Sequence, residues 1–121
     1  VLLSLLDEAA SHAAPTESAL ETFLESSLDG IPGLVRQHAI FDASRRFVAR
    51  VDFAIPEFKI AIEAHSRKYH FGPESEDADA TREDTLQAQG WIVRYITKRQ
   101  AHNRSELRSS LLALIEARRA A

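Results

Sequence analysis

Apolar residues recur along this chain in two rhythms, and the switch between them divides it into elements. Leu20, Phe23, Leu24 and Leu28 follow helical spacing. Ser18-Ala-Leu-Glu21 fits a capping box, so a helix is expected to begin near Ser18. Gly30, Pro32 and Gly33 end it. A strand is expected over Leu34–Phe41, followed by a polar turn at Asp42–Arg45. Phe47, Ala49, Val51, Phe53 and Ile55 alternate with Val48, Arg50, Asp52 and Ala54, predicting a strand with one apolar face. After a turn at Pro56-Glu57, Phe58, Ile60, Ile62 and Ala64 alternate with Lys59, Ala61, Glu63 and His65. Gly72-Pro73 and an acidic stretch lead to a helix expected from about Asp77 to Gln89, closed by Gly90. Trp91–Ile96 reads as a short strand, and Asn103–Ala117 as a final helix with Leu107, Leu111, Leu114 and Ile115 inward. The order α-β-β-β-α-β-α predicts an α+β domain, with helices flanking a central four-stranded mixed sheet.

Residues 1–14, with the apolar run Leu2, Leu3, Leu5 and Leu6, read as the end of a preceding element or a linker. Pro15-Thr16 breaks that run, leaving 15–121 as a single domain. A chain of 121 residues with 45% hydrophobic and 27% charged residues can bury a core. With no cysteine, disulfides, thiolate zinc sites and cysteine nucleophiles are excluded. No run approaches the ~18 apolar residues of a membrane-spanning helix. The chain begins at Val1 and has no methionine, which suggests a piece of a longer chain or a processed product. The opening segment lacks a basic flank and carries Asp7 and Glu8, unlike a secretory signal, so a soluble cytoplasmic domain is expected.

The net charge of -3 argues against nucleic acid, but its distribution does not. Residues 1–30 carry no lysine or arginine, whereas Arg94, Lys98, Arg99, Arg104, Arg108, Arg118 and Arg119 crowd the last part. Such asymmetry suits either a basic face for phosphates or ordinary solvated helix surfaces.

The hairpin carries the sharpest chemical inference. If its loop is centred between Glu57 and Phe58, paired positions sum to 115, and Asp52 lies opposite Glu63 on the face away from Phe53 and Ile62. A one-residue slip would break the shared apolar face. Opposed carboxylates ~5 Å apart at Cβ repel, and something must compensate. A divalent cation is one candidate, since Mg²⁺ is held by one or two carboxylates plus water. Asp52 pairing with Arg50 or Lys59, with ordinary surface histidines, is the other. His65, on the Glu63 face, and His70 beyond Ser66-Arg-Lys-Tyr69 would supply proton transfer near neutral pH, as phosphodiester hydrolysis requires.

Five motifs fall in an order that resembles one family. They are Ser18-x-x-Glu21, Arg50-Val-Asp52, Ile62-Glu63-Ala-His65-Ser66-Arg-Lys-Tyr-His70, Asp79-x-x-Arg82 and Leu86-x-x-x-Gly90-Trp91-Ile-Val93-Arg94. Over residues 18–97 this resembles the PD-(D/E)XK nuclease superfamily, in the branch of endonuclease-like domains related to very-short-patch mismatch repair endonucleases. The resemblance implies a restriction-endonuclease-like core and a Mg²⁺- or Mn²⁺-dependent DNA endonuclease. It makes Asp52 the central metal carboxylate, Glu63 the second acid and His70 a general acid or base. His65 takes the place of the superfamily's lysine, and Glu21 matches the first-helix glutamate, though a capping role explains Glu21 equally well. Arg82 and Arg94 match family positions and suit salt bridges or phosphate contacts. Two departures are His65, where aspartate or lysine is usual, and Ser66, where glycine is usual.

The leading expectation is therefore a nicking or cleaving endonuclease in repair or defence, with DNA as partner. Arg45, Arg46, Arg67, Lys68, Lys98 and Arg99 would supply a basic surface beside the site. The alternative is a catalytically silent nuclease-like domain that binds nucleic acid or regulates a partner, as in a toxin–antitoxin type regulator. A third reading is an interaction domain whose acidic and basic ends drive self-association. A homodimer, or a role as the N-terminal domain of a longer chain, is compatible with each.

Overall fold

The computed structural model describes residues 17–64 and 73–121. Helix α1 (Glu17–Ser27) is followed by strands β1 (Val35–Phe41) and β2 (Phe47–Ile55), a 3₁₀ turn (Pro56–Phe58) and β3 (Ile60–Ala64). Helix α2 (Pro73–Ala88), strand β4 (Ile92–Ile96), the short helix α3 (Lys98–His102) and α4 (Arg104–Ala120) complete it. The sheet order is β1-β2-β3-β4. The first two pairings are antiparallel and the β3–β4 pairing is parallel, so the expected four-stranded mixed sheet flanked by helices is present. No helix among the described residues is long and apolar enough to cross a membrane.

Two apolar clusters sandwich the sheet. Leu20 and Leu24 of α1, Leu28 just beyond its end, and Leu107, Leu111 and Ile115 of α4 pack with Phe53, Ile55, Ile60, Ile62 and Ile96. Leu86 of α2 and Trp91 pack with Ile40, Ala49, Val51, Ala54 and Ala61. Helical periodicity in α1 and α4 thus fixes which stripes face inward, and β-branched strand residues fill the middle layer.

The single apolar face expected for β2 is corrected here. Ala49 and Val51 belong to the α2 side, while Phe53 and Ile55 belong to the α1/α4 side. Phe47 is exposed. The alternation changes sides at Asp52. In the β1–β2 ladder, Arg36 pairs with Phe53 and His38 with Val51, leaving Gln37 opposite Asp52. Gln37 has φ +48°, a left-handed conformation that re-aims the strand. Arg36 accordingly reaches Glu25 of α1 at 2.9 Å, whereas His38 lies 5.9 Å from the Trp91 ring on the other side.

Three local differences have simple causes. Helix α2 begins at Pro73, four residues before the expected Asp77, because proline suits the first helical position and acidic residues suit a helix N-terminus. Phe58 belongs to the 3₁₀ turn rather than to a strand, and Lys59 leaves that turn at φ 52°. Helix α3 was not anticipated, although Thr97 and Gln100 form a reciprocal capping box at its start. The final helix is present where expected, with Asn103 as its N-cap accepting from Glu106 N–H, and it runs three residues past Ala117.

Candidate functional site

The β2–β3 register is the one the hairpin pattern required. Phe53 pairs with Ile62, Ala54 with Ala61 and Ile55 with Ile60, every pair summing to 115. One step further along that register Asp52 falls beside Glu63. The ladder stops there, and the Asp52 carboxylate takes the place of a strand partner: Ala64 N–H donates to Oδ2 at 2.9 Å. The two strands part at the residue where β2 changes sides, so the carboxylates sit at a fork in the sheet.

Glu63 is met from α2. Arg82 donates through Nη1 to Oε2 at 3.1 Å and through Nη2 to Oε1 at 2.7 Å. This two-pronged pairing suits guanidinium geometry and answers the repulsion the sequence posed. Glu63 side-chain exposure is 14% and that of Arg82 is 27%, so the pair is partly withdrawn from water. Arg82 Nη2 also lies 3.4 Å from the Arg50 carbonyl, tying α2 to both strands of the fork. Arg50 Nη1 donates to the Gln37 carbonyl and Lys59 Nζ to the Gln89 carbonyl.

Further acids and a phenol surround this pair. Tyr95 is the parallel partner of Glu63 in β4. Partial burial, a hydrogen bond to Glu83 and the Glu83 and Glu63 charges push the Tyr95 pKa up, against the opposing Arg82 charge. From α1, Glu21 accepts a hydrogen bond from Gln37 Nε2 and lies 3.9 Å from Arg36. Glu21 thus reaches the strand kink opposite Asp52. The described helix begins at Glu17, which places Ser18 inside it rather than in the flanking cap position.

The structure brings together Asp52, Glu63 and Arg82, with Glu21 adjacent through Gln37. Arg94 lies elsewhere: on β4 it pairs in register with Ile62, and its Nη2 donates to Ser110 of α4 at 2.7 Å. With Arg99 it lines a cavity of about 690 Å³ on the α3/α4 side. Arg45 and Arg46 occupy the β1–β2 turn, and Lys98 and Arg99 follow β4 in α3. Both groups lie at the end of the sheet where β3 and β4 finish. His65, His70, Arg67 and Lys68 lie outside the described residues. Among the described residues, no three His, Cys, Asp or Glu side chains gather as a metal cage.

Gln37, Glu83 and Tyr95 are the contributors that sequence reasoning missed. Tyr95 joins Glu63 only through the parallel β3–β4 register, which no local pattern announces. Gln37 had a faint signal, as a polar residue in mid-strand opposite the acid.

Compared with protein-family models, with curated proteins and with solved structures, the chain matches none of them.

Proposed function

We propose that this domain is a metal-dependent DNA endonuclease of restriction-endonuclease-like fold, with Asp52 and Glu63 as its acidic pair. The observation that carries this reading is the fork: two carboxylates on neighbouring strands, aligned by register, where one accepts a backbone N–H because the ladder ends. Oxygen donors from two adjacent strands fit Mg²⁺ or Mn²⁺, which take one or two carboxylates and keep several waters. When bound, such an ion polarises a phosphodiester and makes its coordinated water more acidic. In this reading Asp52, held by Ala64 N–H, and Glu63, released from Arg82, would hold the ion. Arg82 would then turn its planar guanidinium, well matched to phosphate geometry, toward a phosphate oxygen. His70, with His65 as a second candidate, carries protons to or from the reacting oxygens. Incubating supercoiled plasmid with Mg²⁺ or Mn²⁺ tests the reading: the parent chain nicks or cuts, and Asp52→Ala does not. His70→Ala should lower the rate roughly 10²–10⁴-fold.

One observation favours a second reading. Both Glu63 oxygens accept hydrogen bonds from Arg82, which is how a purely structural acid is satisfied. If that pair never opens, the domain is a silent nuclease-like module that binds nucleic acid or regulates a partner. Uncut plasmid together with retained DNA affinity would select that reading.

A further inference from the structure

Two aromatic rings stand in solvent at the tip of the β1–β2 hairpin. Phe41 is 54% exposed and Phe47 59% exposed, and they pair edge to face with centroids 5.9 Å apart. Burying such rings is worth more than burying almost any other side chain, so leaving two of them wet needs a reason. The loop that carries them is pre-organised. Asp42 Oδ1 accepts from Ser44 N–H at 2.8 Å and from Arg46 N–H at 2.9 Å, and Arg45 adopts φ 65°. The same loop presents Arg45 and Arg46, and the Arg46 side chain, 81% exposed, approaches Asp42 no closer than 3.8 Å as an ion pair.

Resting on the endonuclease reading above, we propose that this hairpin tip is a stacking platform for unpaired bases of single-stranded DNA, feeding the strand toward the Asp52–Glu63 fork. Phenylalanine offers no hydrogen bond to a base edge, so the rings select base faces, and base faces are open only where the strand is unpaired. The arginines supply phosphate contacts and add cation–π attraction to the bases. Phe47 precedes Asp52 by five residues on one strand, about 17 Å at ~3.3 Å per residue. At ~3.4 Å per stacked nucleotide, that is about five nucleotides. The charge of the loop sets a nucleic acid strand above a second copy of this chain as occupant, because two such tips would bring four arginines together.

The test is fluorescence anisotropy on the full chain in chelator, so that nothing is cut, with a labelled single strand of about 15 nucleotides and the matching duplex. The single strand should bind more tightly than the duplex. Phe41→Ser/Phe47→Ser should weaken single-strand binding roughly 5- to 150-fold with little change for duplex, and Phe41→Trp/Phe47→Trp should retain it. Circular dichroism melts of both variants confirm that the hairpin still folds. Equal single-strand affinity in the serine variant overturns the platform. So does sedimentation showing a dimer that dissolves in that variant. Plasmid cleavage separates the two ideas: cutting with unchanged single-strand binding sinks the platform alone, whereas phenylalanine-dependent single-strand binding without cutting sinks the nuclease reading alone.

Discussion

Arg82 of α2 grips Glu63 of β3 with both ends of its guanidinium, at 2.7 and 3.1 Å, across the layer between helix and sheet. The pair fastens α2 to the forked strands and neutralises the acid that falls beside Asp52 in the β2–β3 register. Arg82→Met should therefore leave a mostly buried carboxylate without its cation and destabilise the fold by roughly 1–3 kcal/mol. Adding Glu63→Gln should recover much of that loss, since the uncompensated charge goes with it. Urea unfolding of the two single variants and the double variant measures the coupling; strictly additive losses would show that the pair contributes nothing as a pair.

Alkaline stability should report on Tyr95. Its folded-state pKa is raised above the ordinary value near 10, so the unfolded chain gives up the phenolic proton first. The contribution is intact below about pH 10 and is lost as pH climbs through the raised folded value. Urea midpoints should fall on going from about pH 9 to 11, and fall less steeply in Tyr95→Phe, which keeps the ring and cannot ionise. A parallel decline in both proteins would exclude Tyr95 as the source.

How much of this was legible depends on range. The 115 register came from the alternation of Phe53 and Ile55 against Ile60 and Ile62, because a slip would have exposed both sets. The helices α1 and α4 were legible from Leu20, Leu24 and Leu28 and from Leu107, Leu111 and Ile115. The side change at Asp52 was hidden, because it depends on the backbone conformation of Gln37 and not on residue polarity. Arg82 was singled out only by resemblance, as a salt-bridge or phosphate residue, since its contact with Glu63 spans 19 residues and a helix-on-sheet packing that periodicity does not encode.

Gln37 is expected to be intolerant of branched residues for that reason. At φ +48° a β-branched side chain clashes with its own backbone. Gln37→Val should cost on the order of 1–3 kcal/mol, and also remove the hydrogen bond to Glu21. Gln37→Gly loses the same hydrogen bond but relieves the backbone, so it should be the milder of the two. Thermal melts that rank valine as the more stable variant would mean β1 straightens at little cost.

Asp52 separates structure from chemistry, because its two possible jobs respond differently to one atom. As a structural group it accepts Ala64 N–H through Oδ2 at 2.9 Å. Asparagine still offers a carbonyl oxygen there, so Asp52→Asn should fold with stability within about 1 kcal/mol of the parent. Asp52→Ala leaves that N–H without its acceptor and should lose roughly 1–3 kcal/mol. As a metal ligand, Asp52 needs its charge, so both variants should lose any stabilisation by Mg²⁺ or Mn²⁺. The parent should gain RT ln(1 + [L]/Kd), which at a hundredfold excess over Kd is about 2.7 kcal/mol. Arg82→Met should steepen that response, because Glu63 no longer has to leave its guanidinium before it can turn. Thermal melts of all four proteins across a millimolar metal series decide between the jobs. A shift in the parent that survives in Asp52→Asn would place the ion elsewhere, and no shift in either the parent or Arg82→Met would leave Asp52 as the clasp of a forked sheet.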